Sequence, residues 1–367
     1  MGKLVEYLEE LETTKEYNGY FYSVKDVIII VVLGSFCGLK SLYEIWEWTE
    51  EEDVKEFLKG LGIKKVPYYS WLAKLIGIIK PESLNSCFTK WVESLVGENK
   101  KDLTIAFDGK QIKSTGKMTG FDGALNIVSA YVAEKGITFG QVAVEGKSNE
   151  IPAMQKLIGE LNLKGSMVVA DALHCQRETA ELIVEAEADY VFCVKGNQGT
   201  LEQDIVDYFQ TRELIKNCLT AETKEINGSR WEERTAYACR DINWFGNKEK
   251  WKNLACIGVI NRKVTYKGKT SNTWHYYISS RPLTAEELLY HVRQEWSVEA
   301  MHWLLDVHFN EDCCLARNKN SQQNLNMARK IALNYIKLYK ERTNSNKSLI
   351  SFMRSCYRNS DLILNMI

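Results

Sequence analysis

Proline is scarce in this chain: four residues in 367, at Pro67, Pro81, Pro152 and Pro282. No Gly/Ser-rich stretch separates one part from another. Linkers, flexible or stiff, are therefore missing, and any domains are expected to pack together. No Cys-x-x-Cys pair occurs among the ten cysteines, and the five histidines show no zinc-ligand spacing with them, which argues against a zinc ribbon. The longest apolar run, Val27 to Leu39, is broken by Gly34, Ser35 and Gly38 and stops at Lys40, too short for a membrane span. The N-terminus does not read as basic, then apolar, then small. The expectation is a cytoplasmic protein with reduced thiols and no membrane partner. Net charge is also small, 47 Lys+Arg against 48 Asp+Glu.

The remainder is an ordinary globular composition, 45% hydrophobic and 26% charged, in a chain long enough for two or three domains. That excludes disordered, collagen-like and coiled-coil readings. The neutral total conceals a gradient. Residues 1–55 carry five lysines against 12 acidic residues, and residues 313–367 carry ten basic residues against two acidic ones. A basic C-terminal block can follow a phosphate backbone; a solvated helical face is the plainer alternative.

Helical periodicity dominates residues 1–95. It predicts helices over Val27–Gly38, Ser41–Thr49, Asp53–Leu61, Ser70–Ile79 and Pro81–Val96, with a turn at Pro67. Near residue 100 the period changes. Strands are expected at Leu103–Phe107, Ala124–Ala133 and Ile137–Val144. A helix follows, capped by Ser148 or Asn149, with Glu150 and Pro152 in its first turn. Strands at Met167–Ala172 and Tyr190–Val194 alternate with helices at Gln176–Ala186 and Gly199–Phe209. A meander followed by crossover helices predicts a mixed α/β sheet. Thr220–Glu225, Arg230–Cys239, Cys256–Tyr266 and Trp274–Ser279 read as strands of a β-rich insertion, with hairpin signals at Asn227-Gly228 and Lys267-Gly268. From Thr284 onward the chain is helical.

Three carboxylates interrupt apolar patterns. Asp108 ends the strand Thr104-Ile-Ala-Phe. Asp171 ends Met167-Val-Val-Ala, which is apolar at both parities and so expected to be buried on both faces. An ionised carboxylate there is expensive unless something positive compensates it. At about 100° per residue, Glu299 lies about 20° from Val292, within an apolar stripe with Trp296, Trp303 and Val307. Singly, each has an ordinary explanation: a strand-end Asp is commonly a turn residue, and Arg293 could pair with Glu299. Together they form an all-oxygen donor set on two strands and a facing helix, suited to hard divalent cations. Two such ions about 3.5–4 Å apart can activate an attacking oxygen and stabilise the leaving oxygen on phosphorus.

Six motifs sharpen this reading. They are Ile105-Ala-Phe-Asp-Gly-Lys, Glu145-Gly-Lys-Ser-Asn-Glu-Ile-Pro-Ala, Ala170-Asp-Ala-Leu-His-Cys-Gln, Val194-Lys-Gly-Asn-Gln, Trp296-Ser-Val-Glu-Ala-Met-His-Trp-Leu-Leu-Asp-Val and Phe309-Asn-Glu-Asp. In order, and from about residue 20 to about residue 340, the chain resembles the H-repeat-associated (Rhs-linked) bacterial insertion-sequence transposases. The resemblance implies a DDE transposase of the α/β class. It would have an RNase H-like catalytic core, a β-rich insertion before the last catalytic helix, an N-terminal helical domain and a helical C-terminus. The expected boundaries are residues 1–98 for the transposase-associated N-terminal domain and 99–218 for the first part of the core. The insertion would be 219–281, and 282–367 would complete the core with basic C-terminal helices. Asp108, Asp171 and Glu299 become its catalytic residues, holding two Mg²⁺ (or Mn²⁺) ions. The implied reaction cuts DNA at the inverted-repeat ends of the element and joins the 3′ ends to a target. Double-stranded DNA is the implied partner, with a homodimer to bring two ends together. A host-domesticated metal-dependent nuclease and a non-catalytic DNA-binding protein on the same fold are the alternatives. Glu295 stands where the family usually has His, and Leu173-His174 where a smaller pair is common.

Around the trio, Lys110 and Lys113 are expected to meet the phosphate backbone. Lys195, Asn197 and Gln198, beyond the fifth strand, are expected to touch phosphate or base edges, the alternative being a surface turn with Asn197 as a helix cap. Arg293 and His302 would hold phosphate or support the ligands from behind. Trp231, Trp244 and Trp274 could stack on unpaired bases, with core packing preferred. Asn149 and Glu150 are read as helix-capping residues, and Cys175, Cys313 and Cys314 as packing residues.

Overall fold

Helices dominate the first hundred residues. These are α1 (Gly2–Tyr7), α2 (Val24–Phe36), α3 (Leu42–Thr49), α4 (Glu52–Gly60), α5 (Tyr69–Ile78) and α6 (Pro81–Val96). They are seen in a computed structural model that describes residues 2–18, 21–98, 100–101, 103–118, 123–144 and 149–367. The stretch Glu145–Ser148 of the second motif, with Ser148 as a candidate cap, lies outside the described residues. Ser23 caps α2, Ser41 and Glu44 form a reciprocal capping box on α3, and Pro81 takes the first turn of α6, where a missing N–H is tolerated. Helix α2 buries every residue from Val27 to Phe36, because other helices surround it.

The α/β part runs β1 (Thr104–Ile112), β2 (Leu125–Val132), β3 (Ile137–Ala143), α7 (Glu150–Glu160), β4 (Met167–Ala170), α8 (Arg177–Glu185), β5 (Asp189–Val194), α9 (Gly199–Gln210) and α10 (Arg212–Ile215). Then come β6 (Leu219–Asn227), β7 (Arg230–Cys239), β8 (Cys256–Tyr266) and β9 (Lys269–Ser279). The chain closes with α11 (Ala285–Phe309), α12 (Lys319–Arg342), α13 (Leu349–Arg358) and α14 (Ser360–Met366). The strands form one nine-stranded sheet, in the order β3-β2-β1-β4-β5-β9-β8-β7-β6. Strand β4 is parallel to both β1 and β5, and β9 joins β5 antiparallel. Strands β6–β9 therefore extend the sheet rather than forming one of their own. At the β8–β9 hairpin, Lys267 and Gly268 take positive φ of 48° and 74°, as a tight turn matched to strand twist requires.

Two elements differ from expectation. Strand β1 does not end at Phe107; it continues to Ile112, because β2 pairs with it as far as Leu125. Helix α12 is not a solvated basic face. It lies between α2, α5 and α6 on one side and β3 on the other, burying Asn324, Asn326, Arg329, Lys330 and Asn334. Asn324 donates to the carbonyls of Ile76 and Ile79 at 2.8 and 3.0 Å, closing the end of α5. Asn334 exchanges two hydrogen bonds with Thr138, blocking part of the free edge of β3. Lys330, fully buried, donates to Ser129 (2.7 Å) and Gln141 (2.6 Å), and burial pulls its pKa down to about 7. These polar side chains are tolerated inside because each makes at least one hydrogen bond. Among the described residues no helix is long and apolar enough to cross a membrane, and the ten cysteines are unpaired.

Candidate active site

Strand register brings the first two acids together. In the parallel β1–β4 ladder Phe107 lies opposite Ala170. Asp108 and Asp171 are the residues that follow this last pair, on strands about 4.8 Å apart. Asp171 stands just past the end of β4, where open α/β sheets place ligands. Its Oδ1 accepts the Leu173 N–H at 3.0 Å and caps the short turn Ala172–His174. Asn197 and Gln198, expected to touch DNA, instead direct their amide nitrogens at Ala172 O (2.7 Å) and Cys175 O (3.0 Å). They staple the loop after β5 to the turn that carries Asp171.

Helix α11, started by a Thr284–Glu287 capping box, supplies the rest. His302 Nδ1 lies 3.2 Å from Asp108 Oδ2. The Glu295 carboxyl is pushed up to about 7 by burial and by Asp171, with Glu299 and Asp108 adding to the effect against Lys195. Asp108, Asp171, Glu295 and Glu299 thus share one electrostatic field. Glu295, Glu299, His302 and Asp306 recur at i, i+4, i+7 and i+11, so one helix face carries them all. The apolar stripe expected around Glu299 is corrected here: Trp296 is 50% exposed, Trp303 58% and Val307 46%. The buried face is Leu288, Leu289, His291, Val298, Met301, His302, Leu305 and Phe309. Two apolar stripes run along this helix, and only packing decides which one faces the sheet.

Among the described residues, no three Asp, Glu, His or Cys side chains close into a ready-made metal cage. The donor chemistry nevertheless suits a hard divalent cation, being carboxylate oxygen from the middle of β1, the end of β4 and a helix, with an excess of negative charge. A concavity of about 680 Å³ lies elsewhere, lined by Tyr208, Leu214, Arg240 and Trp244. A groove of about 530 Å³ lined by Asn85, Thr89, Gln141, Glu160 and Lys319 contains none of the four acids. Asp171 and Glu299 are exposed, and Asp108 and Glu295 are half-buried.

The remaining expected contacts are mostly engaged within the protein. The Lys110 ammonium is largely buried between Asp306 and Glu311, the latter at 2.6 Å, so it ties β1 to the end of α11 rather than facing phosphate. Lys113 is 77% exposed and pairs with Asp312 at 2.9 Å. Arg293 pairs with Glu225 of β6, which Arg234 also holds. Lys195 is exposed at the end of β5. Trp231, Trp244 and Trp274 are 42%, 50% and 49% exposed, so core packing does not account for them. Asn149 does cap α7, through Ile151 N at 3.1 Å. Glu150 does something else. Its carboxylate accepts from Asn126 Nδ2 at 2.6 Å, lies 3.9 Å from His174 Nε2, and fills the space where a side chain on Gly109 would begin. The signal for it was the glycine beside Asp108, since glycine inside a strand marks close approach of another group.

A family model described as Transposase DDE domain matches residues 99–335, and one described as DDE_Tnp_1-associated matches residues 5–92. The chain belongs to the DDE transposase family. Within Escherichia coli strain K12 it is similar to the H repeat-associated protein YhhI, 31% identical over 349 residues that cover 92% of this chain and 90% of YhhI. It is also similar to YbfL of the same strain, 30% identical over 347 residues, covering 92% of this chain and 90% of YbfL. A piggyBac transposase synaptic complex with hairpin DNA aligns over 99% of this chain and 76% of that one, at 10% identity and a TM-score of 0.44, a likeness that carries no argument. In this DDE transposase the family's associated region runs from within α1 to within α6, and its DDE region begins just before β1 and ends inside α12.

Proposed function

We propose that this transposase cuts DNA at the inverted-repeat ends of its insertion sequence and joins the freed 3′ ends to target DNA, on an RNase H-like core extended by β6–β9. Asp108, Asp171 and Glu299 are its catalytic residues. The observation that carries the reading is that the β1–β4 ladder closes on Phe107 and Ala170, the residues just before Asp108 and Asp171, with His302 of α11 3.2 Å from Asp108. The three carboxylates would hold a pair of Mg²⁺ (or Mn²⁺) ions, whose chemistry is to activate an oxygen nucleophile and stabilise the oxygen that leaves phosphorus. Asp108 and Asp171 form a rigid base because their backbone belongs to, or directly follows, paired strands. His302 fixes the orientation of the Asp108 carboxylate and leaves its second oxygen for ligation. Exposed Lys195 is the cation best placed at that sheet end to meet a backbone phosphate. Two copies would act together, one at each element end.

The test is cleavage of labelled inverted-repeat DNA by purified protein with Mg²⁺. Asp108→Asn abolishes cleavage and leaves end binding intact. Normal cleavage by that variant rules out the assignment. Wild-type nicking without strand transfer to a target plasmid would favour the domesticated nuclease instead.

A further inference from the structure

Two of the three proposed catalytic acids lie beside features that no metal chemistry explains. Asp108 is followed by Gly109 inside a continuous strand, and Asp171 is followed three residues later by a fully buried His174. Both features meet one side chain. Glu150, at the start of α7, lies against Gly109 so closely that a methyl group there would overlap its carboxylate. One carboxylate oxygen accepts from Asn126 of β2 at 2.6 Å, and the other lies 3.9 Å from His174 Nε2. Neighbouring residues of a strand point to opposite faces, so Glu150 sits under the face of β1 opposite to the one carrying Asp108. Helix α7 also packs on the turn Ala172–His174 and on β2 and β3.

We propose that Glu150 is a positioning residue, a strut that sets the spacing of Asp108 and Asp171 from beneath the sheet. It touches the backbone beside the first and approaches the turn capped by the second, and Asn126 locks its rotamer. The role is steric and hydrogen-bonding rather than electrostatic. The gap to His174 Nε2, 3.9 Å, is longer than a hydrogen bond, and burial of that imidazole lowers its pKa against the pull of Asp171, Glu150 and Asp108. The inference rests on the two-carboxylate reading above.

The experiment is a double-mutant cycle in the full chain. Mn²⁺ affinity is measured without DNA by paramagnetic titration, and thermal midpoints are measured without metal, for Glu150→Ala, Glu150→Gln, Gly109→Ala and the Gly109→Ala/Glu150→Ala double variant. Groups that support metal ligands typically change affinity about 10- to 100-fold when removed. Glu150→Ala and Gly109→Ala should each weaken Mn²⁺ binding about tenfold, the first by removing the strut and the second by expelling it. Glu150→Gln should stay within about twofold of wild type, since it keeps shape and an acceptor. The double variant should match Glu150→Ala alone, because the overlap disappears with the carboxylate. Fully additive losses would overturn the strut, since the two positions would then act independently. A Gln variant as weak as Ala would also overturn it, by showing that Glu150 acts through charge as a ligand. Unchanged affinity in Glu150→Ala would reduce it to a helix-start residue. If Asp108→Asn leaves Mn²⁺ affinity unchanged, the catalytic reading fails instead, and non-additive thermal midpoints in the cycle still report the Gly109–Glu150 contact.

Discussion

Strands β1 and β4 offer Asp108 and Asp171 at adjacent positions of one ladder, whereas α11 offers Glu295, Glu299 and His302 from two turns of a single helix. A ladder leaves little freedom: once Phe107 pairs with Ala170, the residues that follow start out side by side. A helix leaves its rotation open. Helix α11 carries aromatic and aliphatic residues on two sides, and tertiary contacts chose Val298, Met301 and Leu305 for the interior over Trp296, Trp303 and Val307. Ends of strands therefore fix chemistry through backbone pairing, while a helix does so through whichever face packs.

The comparison can be broken most sharply at the ladder. Asp171→Asn should abolish end cleavage in the labelled-DNA assay with binding preserved; retained activity would make the strand pair structural only. Next is the brace that holds the two scaffolds together. Glu311 is fully buried and holds Lys110 of β1 at 2.6 Å and Asn326 of α12. Glu311→Ala leaves Lys110 to Asp306 alone and the buried Asn326 amide without its acceptor, and should cost about 3 kcal/mol in urea unfolding. A loss below about 1 kcal/mol would mean that β1 and the end of α11 are not coupled there. The rotation of α11 is tested by a pair of truncations. Leu305→Ala should destabilise by about 2–5 kcal/mol. Trp303→Ala, on the exposed face, should stay within about 0.5 kcal/mol. The reverse ranking would show the helix turned the other way.

A pH titration sharpens the same point. His291 of α11 is buried against Thr104 of β1, with Nδ1 2.9 Å from Thr104 Oγ1. Burial, helped by Arg281, lowers its pKa from 6.5 to about 4. The folded state therefore holds fewer protons than the unfolded one between these values. Stability should be flat above pH 6.5, fall as pH drops towards 4 and level off below. The total is at most about 3 kcal/mol. His291→Gln should flatten that segment of the stability–pH curve; an unchanged slope would place its origin in other groups.

Much of the fold was legible in local pattern. The helices from α2 to α6, the strands and the crossover helices follow from period, caps and turn residues, and β1 was misjudged only in length, because pairing by β2 carried it past an Asp-Gly that looks like a turn. Of the candidate site, Asp108 and Asp171 stood out because carboxylates are costly at the end of apolar strands. The lysine and amide contacts did not follow. Lys110, Asn197 and Gln198 look free in sequence and are engaged by Asp306, Glu311 and two backbone carbonyls in space. Glu150 was hidden by its own good helix-start position.

By itself the sequence determined the elements, their order and the acids that have no reason to be where they are, since periodicity and local hydrogen bonding act over a few residues. Only the tertiary structure decided which face of α11 looks inward, that α12 is a polar core helix rather than a basic surface, and which charges neutralise one another. Those outcomes depend on partners as many as two hundred positions away, and a solvated residue and a paired one are written with the same letter.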